Sequence, residues 1–157
     1  MGKDDWIHKI GSDREAAEEK AALYAKIRLD NRRIYEAKAD GFWSRFAAEI
    51  ERLVAIYNAG PGRGQDNTVR IERDGQHGLS VALGGVAVVQ VHINNQAQEL
   101  SVMRRFMRPD GGRSDEGPMT QRIAATAAGE VTLENATLDD YARNLLEPFF
   151  RRINGLK

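Results

Sequence analysis

Between Thr68 and Phe106 the chain reads TVRIERD, GLSVALG, GVAVVQVHI and QELSVMRRF, short β-prone runs divided by DGQ, GG and NNQA. Separators this short, rich in Gly and Asn, reverse the chain as hairpin turns. Strands joined so closely can pair only antiparallel, because a parallel pair needs a crossover of a dozen or more residues. Beyond RPDGGRSDEGP, the runs MTQRIAATA and EVTLE extend the same pattern around Ala128-Gly129. The expectation is an antiparallel β-meander of five to six strands over residues 67–135, with the 108–118 connection a mobile loop.

Helical sequence brackets this sheet. Ser12-Asp13-Arg14-Glu15 has the form of a capping box, so residues 1–11 are expected to be a flexible N-terminus and 12–58 helical, up to Gly60-Pro61. Over 13–40 the apolar stripe is thin: Leu23, Ile27 and Ile34, with Tyr24 and Tyr35 beside them. Over 42–57 it is broad: Phe42, Phe46, Ile50, Leu53 and Tyr57 recur at helical spacing. Gly41 costs about 1 kcal/mol inside a helix, so a kink near Asp40 is expected, with one long helix as the alternative. Thr137 opens a final helix over 137–154 whose apolar face is Leu138, Tyr141, Ala142, Leu145, Leu146, Phe149, Phe150 and Ile153. Pro148 is expected to kink it or split off a last turn. A helical region, then strands, then a helix make an α+β fold, here one domain over 1–157.

Composition narrows the chemistry. There is no cysteine, which excludes thiol nucleophiles, disulfides and cysteine-ligated metal. The 23 basic and 23 acidic residues balance, so neither a polybasic nucleic-acid binder nor a membrane partner is expected. No apolar run suits a membrane span, and the expected setting is the cytoplasm.

Candidate sites follow from register. A two-residue turn at Gly84-Gly85 sets His77 opposite His92 and leads to the row Glu72, His77, His92, Glu99 at one end of the sheet. Two imidazoles and two carboxylates suit zinc or another divalent metal, although a solvated polar row is the favoured reading and no cofactor is expected. At the other end, glycine-rich loops bring Arg63, Arg108 and Arg113 to one rim, a candidate anion site. The GPGRG segment lacks the strand-to-helix setting and the Gly-Lys-Ser/Thr of a phosphate loop. Neither Ser80 nor Ser101 sits in a nucleophile elbow.

The same register places Leu79, Val81, Leu83, Val86, Val88 and Met103 together on the sheet face away from the helices. Such a cluster calls for a cover, and a second copy of the chain is the expected one, with exchange of the 13–40 helix as a variant. The function expected is a non-enzymatic protein-interaction module, a homodimer using this mixed sheet face or the charged N-terminal helix. The alternative is a small-ligand or metal-binding protein, or an enzyme, working at the histidine row or the glycine rim.

Overall fold

A computed structural model describes residues 2–61 and 67–156. Helix α1 spans Asp5–Asn58, and strands β1 (Arg70–Arg73), β2 (Gly78–Leu83), β3 (Ala87–Asn94), β4 (Glu99–Met107), β5 (Arg113–Ala125) and β6 (Val131–Leu133) follow. Helix α2, Leu138–Ile153, ends the fold. The six strands pair in chain order, each antiparallel to the next. This is the α+β meander that the turn spacing requires.

The helical segments depart from expectation in length. α1 starts at Asp5, well before the Ser12 box, and runs unbroken through Gly41. A Cβ at Gly41 would meet nothing within 4 Å, so no contact at that point demands a bend. α2 also runs through Pro148. Proline has no N–H to give the carbonyl of Asn144 four residues earlier. The Arg104 guanidinium reaches over from β4 instead, its Nη2 3.5 Å from Asn144 O and 3.3 Å from Leu145 O.

The decisive correction is in the β2–β3 hairpin. Leu83 pairs with Ala87, so the turn holds three residues, Gly84-Gly85-Val86, rather than two. Gly84 takes φ +51°, and Val86 N–H donates to Leu83 O at 3.0 Å. One extra turn residue moves every β2 side chain to the opposite face. Leu79 and Val81 therefore lie opposite Val91 and Val89, both fully buried under the helices. Each such burial stabilises by about 1.5–3 kcal/mol, and it is this gain that selects the three-residue turn. The expected six-residue apolar patch does not form. Val86 sits exposed at the turn tip, Leu83 packs beside the core, and only Val88 and Met103 remain, half-buried, on the uncovered face.

The core lies between that sheet face and the two helices. Phe42, Phe46, Ile50 and Val54 of α1 and Ala142, Leu145, Leu146 and Phe149 of α2 cover Val89, Val91, Ile93, Leu100, Val102, Phe106 and Ile123. Asn58 ties the end of α1 to the sheet, its side chain accepting from Val69 N at 3.0 Å and donating to Val69 O at 2.8 Å.

The 108–118 segment is mostly strand. β5 begins at Arg113 and pairs with β4 from Met107↔Arg113 onward, which leaves only 108–112 as a turn. Between Val102↔Met119 and Arg104↔Glu116 the register slips, so that Gly117 and Pro118 together face Met103 in a β-bulge. Gly117 has φ +102°, and a Cβ there would lie 2.7 Å from Val102 O. Gly117→Ala should cost about 1–3 kcal/mol, read as a lower urea midpoint with an unchanged slope. An unaltered midpoint would contradict this geometry.

Candidate interaction surface

Every residue from Gly2 to Asp30 is exposed. The first buried residue of α1 is Tyr35. At 1.5 Å per residue, the stretch from Asp5 to Asp30 extends about 40 Å beyond the body. The helix leaves the body at the β3–β4 turn. There Tyr35 Oη donates to Asn95 Oδ1 at 2.8 Å and Arg32 Nη1 donates to Asn95 O at 2.7 Å. Asn94 fixes this turn by accepting from Gln96 N and Ala97 N, both at 3.1 Å.

The projecting segment is not uniformly polar. Trp6 is 61% exposed, Ile10 59%, Tyr24 52% and Ile27 44%. On a 3.6-residue helix these four fall in one broad stripe with Ala17, in line with the Tyr35 and Phe42 positions that face the core further along. Leu23, 56% exposed, borders it, whereas Leu29, 51% exposed, lies on the far side of the helix. Only a few local interactions support the segment, among them an Arg14–Glu18 ion pair at 3.0 Å and Lys20 over the Tyr24 ring at 5.6 Å. Periodicity had marked Leu23, Ile27 and Tyr24. Trp6 and Ile10 lie ahead of the Ser12 capping box, outside the helix expected from sequence, and the earlier start of α1 at Asp5 adds them to the stripe.

The proposed metal row is not assembled. Gly78, not His77, lies opposite His92, whose other neighbour is Ser101. Glu72 lies opposite Ser80, and Glu99 between Asn94 and Arg122. His77 precedes β2, its carbonyl accepting from Ile93 N at 2.8 Å. Among the described residues, no group of three or more His, Cys, Asp or Glu side chains is placed to hold a metal ion.

At the glycine rim, Arg63 lies outside the described residues. Arg108 is 3.6 Å from Asp110, and Arg113 is 3.2 Å from Asp115, which Arg105 shares at 3.9 Å, so each guanidinium already faces a carboxylate. The Gly84-Gly85 turn and Arg113 do come to the same end of the sheet, around a shallow cleft of about 300 Å³ with Val86, Met107 and Gly111. A larger cleft, about 720 Å³, opens between α1 and β6, lined by Lys38, Phe42, Arg45, Glu130, Leu133 and Leu138 among others. Its described lining holds no histidine.

Two phenols have shifted protonation. Burial raises Tyr35 above its ordinary 10.0, with Arg32 opposing the rise and Asp40 adding to it. Burial raises Tyr141 likewise, opposed by Arg104. A phenol whose folded pKa is raised stabilises the fold fully below the unfolded value and loses that contribution as pH climbs through the folded one. Folding stability should therefore fall above about pH 10, and Tyr141→Phe should flatten that fall. An equally steep alkaline loss in the variant would assign it to other groups.

No helix among the described residues is long and apolar enough to cross a membrane. Comparison with protein-family models, with curated proteins and with solved structures finds no match to this chain.

Proposed function

We propose that the protein is a non-enzymatic interaction module that acts as a homodimer through the projecting part of α1. The observation that carries this reading is the stripe Trp6, Ile10, Tyr24, Ile27, exposed on a stretch of helix, Asp5 to Asp30, that none of the other described residues buries. Isolated helices draw little stability from propensity alone, and most helical stability in proteins comes from packing an amphipathic face. A stripe of this size in water leaves several kcal/mol of burial unused, at about 1.5–3 kcal/mol per large side chain. The uncovered sheet face is a weaker candidate, since Gln90, His92 and Asn94 interrupt it and Leu79 and Val81 belong to the core. A cytoplasmic setting suits a chain without disulfides.

The full chain carrying Ile10→Glu and Ile27→Glu tests the reading. By light scattering, the parent should have twice the 17.5 kDa chain mass and the variant the chain mass alone. The body should keep its stability to within roughly 0.5 kcal/mol, as for exposed sites. A variant with the parent's mass would remove the helix from the interface.

A further inference from the structure

We infer that two copies pair antiparallel along this helix, the acidic half of one against the basic half of the other, with Ile10 level with Ile27 of the second copy. The inference rests on the homodimer reading and adds the geometry of the pair.

Charge is divided along the projecting segment. From Asp4 to Glu19 there are six acidic residues and two basic ones, a net charge of −4. From Lys20 to Arg33 there are five basic residues and one acidic one, a net charge of +4. The helix dipole does not account for this, since its influence fades within the first and last turns and Lys20 to Arg33 lies in the middle of a 54-residue helix. Contacts within the helix do not account for it either. Among the described residues Asp13, Glu15, Glu19, Lys26, Arg28 and Arg33 make no ion pair.

Equal and opposite blocks on one rod suit the same rod reversed. A parallel pair would set like blocks together. An anionic surface would attract only Lys20 to Arg33 and repel Asp4 to Glu19.

The side chains favour one register. Placing the two-fold axis between Glu18 and Glu19 sets Ile10 level with Ile27 of the second copy, and the acidic start of the segment, Asp4-Asp5, level with the basic Arg32-Arg33 of the second copy. The crossing falls in the stretch from Ala16 to Ala22, where Ala16, Ala17, Ala21 and Ala22 let two backbones approach closely.

The absence of cysteine makes the test clean. Single variants Ile10→Cys and Ile27→Cys are made in the full chain and oxidised mildly, alone and mixed. In the antiparallel pair, positions 10 of the two copies lie about 25 Å apart along the axis. Each variant alone should therefore stay uncrosslinked, and the mixture should give the mixed disulfide. Raising salt from 0.05 to about 0.5 M should weaken the pair, because exposed charges are screened.

Self-crosslinking of each variant alone would show a parallel pair and overturn the inference while leaving the homodimer intact. A dimeric mass with no disulfide in any mixture would place the interface elsewhere and overturn it too. A parent chain that stays monomeric would overturn both the pairing and the homodimer reading, whether or not it co-sediments with anionic phospholipid vesicles.

Discussion

Val81→Asp is expected to unfold the protein rather than change how it associates. Val81 has no exposed surface and lies between Ile71 and Val89 on the helix-covered face of the sheet. A carboxylate there has no partner, and an unpaired buried charge costs several kcal/mol even after relaxation. A domain's whole stability is about 5–15 kcal/mol, so the variant should lose cooperative thermal unfolding or fall many degrees in midpoint. Had the Gly84-Gly85 turn held two residues, Val81 would face outward and the same substitution would leave the fold intact. A folded Val81→Asp protein with an altered mass would restore that register and contradict the hairpin described above.

Phe46→Ala should be nearly as damaging. The ring is fully buried where α1 meets α2, with its centroid 6.5 Å from Phe42, 5.9 Å from Trp43 and 6.0 Å from Tyr141. Truncating such a ring removes its transfer energy and leaves a cavity that rigid neighbours cannot fill, together about 3–5 kcal/mol. Urea unfolding should show the midpoint drop with little change in slope. A loss under about 1 kcal/mol would mean that the helices do not close on this residue.

What was legible in the chain depended on how local the signal is. Strand order and antiparallel pairing follow from short Gly-rich separators, and the strands centre on the β-prone runs, except that β5 starts at Arg113, six residues ahead of its run, within the expected loop. The core faces of 42–57 and of α2 follow from helical spacing. So does the apolar sheet face carrying Val89, Val91, Ile93, Leu100, Val102 and Phe106, which is buried as expected. Register is different in kind. Two or three residues in the Gly84 turn is a choice that the local sequence scarcely biases, and the core makes it by drawing in Leu79 and Val81. That one residue separates His77 from His92 and disperses the apolar patch, so both candidate sites built on it fail together.

The helix start was obscured for a related reason. Ser12 to Glu15 is a good capping sequence that a longer helix simply runs through, and a start at that box leaves Trp6 and Ile10 outside the stripe. Gly41 does not break the helix, because about 1 kcal/mol of propensity is small beside the packing of Ala39, Phe42 and Trp43 on either side of it. The partnership of Arg104 with the carbonyl of Asn144 could be anticipated only in part. Pro148 announces a released carbonyl, but nothing local says which strand will answer it.

Amide hydrogen exchange across residues 5–30 as a function of protein concentration tests most directly the proposal that a second copy covers the projecting helix. If it does, these amides exchange slowly in concentrated solution and speed up on dilution, while those of β3 and β4 stay protected throughout. Exchange over 5–30 as fast as that of an isolated peptide at every concentration, beside a fully protected sheet, would contradict it.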